Sequence, residues 1–164
     1  MKRAAAVTTP KADPPWPAAP PPRTLYVAEP RSAWQLRQPV VVDCSVLAAL
    51  LFAEPNCEEA TRLLLDRAVH APTLLPYELA NVAAKKLCAG ATAAEVDTAL
   101  ADFADQRIDL HPAPPDAVHA LATRFGLSAY DAAYLWLAAD LKAVLATFDR
   151  QLGNAAHRHL GAAD

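Results

Sequence analysis

Four acidic residues lie where the chain is otherwise apolar. Asp43 interrupts the run PVVVDCSVLAALL, and Glu78 lies in LLPYELANV, which carries no other charge. Asp131 is the only charge in AYDAAYLWLAA, and Asp149 follows the apolar run AVLAT by two positions. A carboxylate in apolar surroundings is costly unless it is paired, hydrogen-bonded or bound to a metal. These positions indicate either structural roles or a site that performs chemistry.

The chemistry that clustered carboxylates favour is the binding of a hard divalent cation. Carboxylates within about 4–6 Å of one another cannot all stay ionised without a counter-charge. Ligand sets made only of oxygen suit Mg²⁺ or Mn²⁺ better than zinc. The five histidines show no ligand spacing near the acids, so we expect them at surface or strand positions.

Strand and helix patterns alternate around these acids. Four short apolar runs predict strands, at residues 40–43, 69–72, 108–111 and 143–147. The helices expected between and after them cover residues 45–52, 56–68, 75–90, 92–106, 114–126, 128–141 and 149–159. This alternation predicts an α/β fold in which helices flank a mostly parallel sheet. Ligands bind at the carboxyl ends of such strands, so the acids could meet at one edge of the sheet.

Several local signals predict how individual helices begin, end and pack. Thr92 with Glu95 three residues later forms a capping-box pattern at a helix start. Gly126 lies where a glycine is expected to end a helix. In the helix predicted for residues 56–68, the periodicity places Ala60, Leu63 and Leu64 on the inward face.

Each acid also has a structural explanation that the sequence leaves open. Asp43 and Asp149 could cap helices, because aspartate is a preferred N-cap residue. Ser128 and Asp131 are three positions apart, so SAYD could be a capping box. Glu78 is harder to explain in this way. The helix that carries Asp131 is apolar all round, which predicts that it is buried.

The chain divides at about residue 38 into an arm and a domain. Residues 1–38 hold eight of the fifteen prolines, which predicts an extended, largely disordered arm. Residues 39–164 are expected to form the folded domain. The whole chain has a formal net charge of −3, whereas residues 1–39 carry +4. We expect the arm to be a passive leader. The alternative is that it contacts RNA or the acidic domain.

The composition indicates a soluble protein without a membrane segment. The chain is 54% hydrophobic and 20% charged. Its longest apolar stretch, LSAYDAAYLWLAADL, is interrupted by Asp131 and Asp140 and is too short to span a bilayer. Three cysteines without CxxC spacing indicate reduced thiols, so we expect a cytoplasmic location.

Four segments carry a family resemblance. VVVDCSVLAALL, LLPYELANVAAKKL, LSAYDAAYLWLAADL and VLATFDRQLGNAA resemble, in order and spacing, the PIN-domain ribonucleases. They are most similar to the VapC-type toxins of bacterial toxin–antitoxin pairs. The resemblance implies a PIN-like three-layer domain with a central sheet flanked by helices. It also implies a ribonuclease that uses Mg²⁺ or Mn²⁺ at an acidic quartet, acts as a homodimer and binds a cognate antitoxin protein.

The family motif can be carried over residue by residue. The implied catalytic and metal-binding quartet is Asp43, Glu78, Asp131 and Asp149. Ser45 and Thr147 lie two positions from quartet members and could offer hydroxyls to the site, although capping and strand-end roles explain them equally well. Lys85, Lys86 and Arg150 are candidate contacts to RNA phosphates. A solvated helix face is the ordinary explanation for the two lysines.

Three other classes with related sites fit less well. A response-regulator receiver would need an acidic pair before its phosphorylated aspartate and a lysine after a late strand. A phosphatase of the haloacid-dehalogenase type would need a second aspartate where Ser45 stands. A nucleotide-binding Rossmann domain needs a glycine-rich turn, and this chain has only four glycines. The remaining alternative is a non-catalytic PIN-like module that binds RNA or a partner protein.

Overall fold

The computed structural model describes residues 37–161, and most of the predicted arm (residues 1–36) lies outside them. The strands are β1 (Pro39–Val42), β2 (Ala68–Pro72), β3 (Ile108–His111) and β4 (Val144–Ala146). The helices are α1 (Cys44–Leu51), α2 (Cys57–Leu64), α3 (Leu75–Cys88), α4 (Ala93–Asp105), α5 (Pro115–Phe125), α6 (Ala129–Asp140) and α7 (Arg150–Leu160). Every predicted strand and helix is therefore present.

The four strands form one sheet in the order β3-β2-β1-β4. All three neighbouring pairs are parallel, with Val41 of β1 opposite His70 of β2 on one side and Leu145 of β4 on the other. The predicted α/β fold with a parallel sheet is thus confirmed. Because the strands run in the same direction, their carboxyl ends lie at one edge, and the loops after β1 and β4 are neighbours there.

The core lies around β1 and α6. Val40, Val41 and Val42 are buried, as expected for a central parallel strand covered on both faces. The buried residues of α6 are Ala132, Ala133, Tyr134, Leu135, Leu137 and Ala138. The prediction that this helix is buried is confirmed from Ala132 onward, whereas its first residues, 129–131, are exposed or half-buried. None of the helices in residues 37–161 is long and apolar enough to cross a membrane.

Local hydrogen bonds define the helix ends much as the sequence predicts. The Thr92 hydroxyl accepts from the Glu95 backbone N–H, and the Glu95 carboxylate accepts from the Thr92 backbone N–H, so the capping box is confirmed. Gly126 follows α5 with a φ of +67°, a left-handed conformation that suits glycine and ends the helix.

The prediction for α2 is wrong in two respects. The helix ends at Leu64 rather than near residue 68, and the Leu63 side chain is 38% exposed instead of inward. Ala60 is buried and Leu64 is half-buried. Successive residues are rotated by about 100° around a helix, so a narrow buried stripe through Ala60 and Leu64 leaves Leu63 at its margin. Leu63 instead borders a surface cleft that Val144 of β4 also lines.

Candidate active site

Asp43 is the residue on which the site is built. It follows β1 at the N-cap position of α1, yet its side chain makes no capping hydrogen bond. It is 7% exposed and is the only residue with an ionisable acidic or basic side chain among residues 37–161, apart from Cys44 and Tyr134, that is buried. Its Oδ2 atom accepts hydrogen bonds from the hydroxyls of Ser45 and Thr147, both at 2.7 Å. Helix capping therefore does not explain this carboxylate.

The same two hydroxyls join the loop after β1 to the loop after β4. Ser45 Oγ accepts from the Phe148 backbone N–H at 3.0 Å, and Thr147 Oγ1 accepts from the Asp149 backbone N–H at 2.9 Å. The Asp43 backbone N–H also donates to a carbonyl of β4. Through the Thr147 hydroxyl, these bonds link the backbone N–H of Asp149 to the carboxylate of Asp43.

Asp149 does act as a helix cap. Its Oδ1 atom accepts from the Leu152 backbone N–H at 2.8 Å, at the start of α7. The side chain is exposed. Capping occupies one carboxylate oxygen, so the structural role that the sequence left open for Asp149 is observed and uses only part of its side chain.

Asp131 lies in the first turn of α6, beside the N-cap residue Ser128. The Ser128 hydroxyl accepts from the Asp131 backbone N–H at 3.0 Å and donates to Asp131 Oδ2 at 2.7 Å. The hydrogen bond that Ser128 would make in a capping box formed by SAYD is therefore observed. The Asp131 side chain is half-buried and is oriented by that hydroxyl.

Glu78 links α3 to α6. It lies in the first turn of α3, is half-buried, and accepts a hydrogen bond at Oε2 from the Tyr134 hydroxyl of α6. Burial raises the pKa of the Glu78 carboxyl, and the negative charges of Asp43 and Asp131 raise it further, while the bond from Tyr134 lowers it. The tertiary structure therefore brings Glu78 within electrostatic range of both aspartates.

Tyr134 is a site residue that the sequence analysis missed. Its hydroxyl holds Glu78, and burial together with that contact raises the pKa of its phenol, so it stays protonated. A signal was present in the sequence, because Tyr134 lies three residues after Asp131 on the same face of the helix.

The thiol next to Asp43 is not a nucleophile. Burial, with the negative charges of Glu78 and Asp43, raises the pKa of Cys44 to about 12. A thiol of this kind is neutral at physiological pH and packs as a small apolar group. The positive charge of Lys85 acts in the opposite direction on the same thiol, so this lysine lies within electrostatic reach of the site.

The charge and ligand type of the site suit a divalent cation. Among residues 37–161, the salt bridges formed by Lys, Arg and His involve none of the four predicted acids. The donors are oxygen atoms only, the set that hard divalent cations prefer. Within the same residues, however, no three His, Cys, Asp or Glu side chains already surround a common point at metal-binding distances. Ion binding at this edge would require the carboxylates to move closer together.

The three residues predicted to contact RNA have different surroundings in the structure. Lys86 forms an ion pair with Glu54 and lies over the Phe52 ring, with Nζ 5.4 Å from its centroid. Lys85 and Arg150 are exposed, the latter at the first position of α7. Lys86 therefore has a structural role within the domain, and Lys85 and Arg150 are better placed to contact a ligand.

Comparison with known proteins agrees with this architecture. The family model of the PIN domain matches residues 40–158. The chain belongs to the PIN-domain family. It is also 31% identical, over 119 residues, to a protein of Pyrobaculum aerophilum named Ribonuclease VapC3, an alignment that covers 69% of this chain and 91% of the relative. The resemblance to VapC-type proteins given by the four sequence segments is confirmed.

Solved structures show the same fold. The crystal structure of PAE2754 from Pyrobaculum aerophilum aligns with a TM-score of 0.59 and 25% sequence identity, covering 78% of this chain and 92% of that one. The structure of VapC20 from Mycobacterium tuberculosis, described as a toxin that cleaves the sarcin-ricin loop, aligns with a TM-score of 0.56. Its sequence identity is 17%, and the alignment covers 71% of this chain and 94% of that one. At that identity the likeness concerns the fold alone.

Proposed function

We propose that this PIN-domain protein is a metal-dependent endoribonuclease that hydrolyses RNA phosphodiester bonds, and that it is the toxin of a toxin–antitoxin pair. The observation that carries the proposal is the buried carboxylate of Asp43, which caps no helix and lies within electrostatic range of Glu78. A buried carboxylate that caps no helix and forms no ion pair within residues 37–161 indicates a functional role. The similarity to Ribonuclease VapC3 supports RNA as the substrate.

In this proposal Asp43, Asp131 and Asp149 would hold Mg²⁺ or Mn²⁺. The bound ion would supply Lewis-acid chemistry, activating water and stabilising charge on the phosphodiester. The hydroxyls of Ser45 and Thr147 would keep the Asp43 carboxylate in a fixed orientation through their bonds to its Oδ2 atom.

Glu78 would orient water or help to bind a second ion. The Tyr134 hydroxyl occupies Glu78 Oε2, so the other oxygen, Oε1, would perform these tasks. The raised pKa of Glu78 makes its carboxylate a stronger proton acceptor than an ordinary glutamate, which suits a group that orients and activates water. Lys85 and Arg150 would contact phosphates of the RNA, and a homodimer and an antitoxin protein are the expected protein partners.

The test is digestion of a panel of structured RNAs by the wild type and an Asp43→Asn variant, with Mg²⁺, with Mn²⁺ and with EDTA. The side chain of Asp43 makes no capping bond, and asparagine keeps its shape, so the variant should fold. We expect cleavage by the wild type with either ion, none in EDTA, and a loss on the order of 100-fold or more in the variant.

Asp97→Asn is the matched control, because it removes the same charge from an exposed position on α4. It should cleave like the wild type. Cleavage by folded Asp43→Asn at the wild-type rate would contradict the assignment. RNA binding without cleavage by the wild type would favour the alternative, a non-catalytic RNA-binding or partner-binding module. That alternative is favoured by the lack of three preclustered ligands in residues 37–161.

A further inference from the structure

Two exposed tyrosines flank the acidic site and have no part in the proposed chemistry. Tyr77 immediately precedes Glu78 in the first turn of α3, and Tyr130 immediately precedes Asp131 in the first turn of α6. Their side chains are 76% and 63% exposed. The other Phe, Tyr and Trp side chains of residues 37–161 are buried or half-buried, so both exposed aromatic rings of this region adjoin predicted site acids.

The two rings are brought to the same edge of the sheet. Glu78 in the first turn of α3 accepts a hydrogen bond from Tyr134, which lies one turn after Tyr130 and Asp131 on α6. The charge of Asp131 also acts on Glu78, so the acids that follow the two tyrosines lie within electrostatic range of each other. Neighbouring residues on a helix are rotated by about 100°, so each ring lies beside its acid and toward solvent rather than in front of it.

An exposed aromatic ring beside a phosphodiester site is suited to stack on a base. Unpaired nucleobases present flat faces that stack on tyrosine regardless of base identity. The adjoining acids, with a bound cation, would hold the phosphate, and Lys85 on α3 adds a positive charge within reach of the site. The two rings are thus suited to the bases of an RNA strand, and the acids and Lys85 beside them are suited to its phosphates.

We propose that Tyr77 and Tyr130 form a stacking site for unpaired bases of the RNA next to the phosphate at the acidic edge. This inference rests on the proposed ribonuclease function and adds two positioning residues to it, whose rings can be reached only by bases that are not held in a continuous duplex. Paired bases are already stacked in a duplex and cannot splay onto a protein ring. The rings are positioning residues and take no part in proton transfer.

The experiment measures binding of a short single-stranded RNA to the Asp43→Asn protein in Mg²⁺, where the RNA stays intact. Tyr77→Ala and Tyr130→Ala are added singly to this background. Each should weaken binding by about fivefold to 150-fold, the loss expected for one stacked base. Tyr77→Phe and Tyr130→Phe keep the ring and should bind like the parent. Binding of a perfectly paired duplex should change little in any variant.

A second readout reports stacking itself. An RNA that carries the fluorescent base aminopurine at one position should change its fluorescence on binding the parent and the Phe variants, and much less on binding the Ala variants. Leu65→Ala is the control, because Leu65 is 69% exposed but follows α2, apart from the acidic residues of the site. Melting temperatures of all variants should agree closely, since the rings pack against little.

The outcomes separate this inference from the function on which it rests. If the wild type cleaves RNA and the Ala variants bind single strands as tightly as their parent, the stacking site is wrong and the ribonuclease stands. If the Ala variants change the oligomeric state in sedimentation and leave RNA affinity unaltered, the rings belong to a protein interface and the inference is overturned. If the wild type neither cleaves nor binds RNA, both fall together.

Discussion

At the scale of single residues, the site is defined by how each carboxylate is held. Asp43 is bound by two hydroxyls, Asp131 by the hydroxyl of Ser128, and Glu78 by the phenol of Tyr134. Neutral donors orient a carboxylate without cancelling its charge. The site therefore keeps its negative charge available for a cation while its side chains stay in place.

The Glu78 carboxyl should make the metal-free protein less stable as pH rises. Its pKa in the folded state lies above the ordinary 4.5, because burial and the charges of Asp43 and Asp131 disfavour ionisation. The folded state therefore binds the proton more tightly than the unfolded state. The resulting gain in the free energy of unfolding is complete below pH 4.5 and is lost as the pH rises through the raised pKa of the folded state. In EDTA, Glu78→Gln should be more stable than the wild type at pH 7, with the difference shrinking toward pH 4.5 in thermal melts.

Glu95 provides a control, because its contribution to stability should change with pH in the opposite direction. Hydrogen bonds from the backbone and side chain of Thr92 lower the pKa of the Glu95 carboxyl. Its stabilisation is present above pH 4.5 and is lost as pH falls through the lowered value. Glu95→Gln should therefore be no more stable than the wild type at pH 7. The interpretation of Glu78 would be wrong if both glutamine variants showed the same dependence on pH.

At the scale of elements, the site depends on the junction between the loops after β1 and β4. Thr147 makes this junction through one hydroxyl, which donates to Asp43 Oδ2 and accepts from the Asp149 backbone N–H. Asp43 and Asp149 precede different helices, α1 and α7, so this hydroxyl couples two acids that are distant in sequence. The parallel pairing of β1 with β4 makes the loops that carry Asp43 and Asp149 neighbours.

Thr147→Val should remove this coupling while keeping the shape of the side chain. A buried carboxylate would lose one donor and a backbone N–H would lose its acceptor, so we expect a loss of about 1–3 kcal/mol in the free energy of unfolding. Cleavage should fall more than the stability change explains, because Asp43 loses its fixed orientation. Denaturant unfolding and RNA cleavage are the measurements. Thr147→Ser keeps the hydroxyl and should retain both properties, and equal activity of the two variants would argue against the coupling.

At the scale of the whole molecule, ion binding should be linked to folding. The four acids come from different parts of the chain and are brought toward one edge of the sheet only by folding, so a cation that binds there would stabilise the native state. At an ion concentration of 100 times the dissociation constant, the gain is about 2.7 kcal/mol. Mg²⁺ or Mn²⁺ should therefore raise the melting temperature of the wild type.

Asp131→Asn and Asp149→Asn should reduce this rise, whereas Asp97→Asn on α4 should preserve it. Calorimetry or a dye-based melt across an ion titration provides the measurement. An equal shift in the wild type and all three variants would mean that the ion binds somewhere other than the predicted quartet.

The proline-rich arm yields a prediction from sequence alone. Deleting residues 1–36 should leave the domain folded, because that segment lacks a core pattern. The positive charge of residues 1–39 should contribute to RNA binding, with a salt slope of roughly −0.7 for each phosphate contacted on a single strand. In the Asp43→Asn background, truncation should weaken RNA binding and make its salt dependence shallower. Coincident slopes would show that the arm is a passive leader.

Much of the fold was predictable because its signals are local. The β-branched run before Asp43, the capping box at Thr92 and the glycine after α5 each act within a few residues, so one sequence displays them. The apolar surface of α6 likewise predicted its burial. The exposed position of Leu63 was not predictable from periodicity, because the width of a buried stripe depends on what packs against it.

The sequence by itself determined the order of strands and helices, the family and the four candidate acids. Only the tertiary structure decided that Asp43 caps no helix, that Thr147 reaches it across 104 residues, and that Tyr134 holds Glu78. It also decided that Lys86 is used in an internal ion pair. The physical reason is that capping and periodicity depend on neighbours along the chain. Contacts between loops depend on strand order and register, which no local pattern specifies.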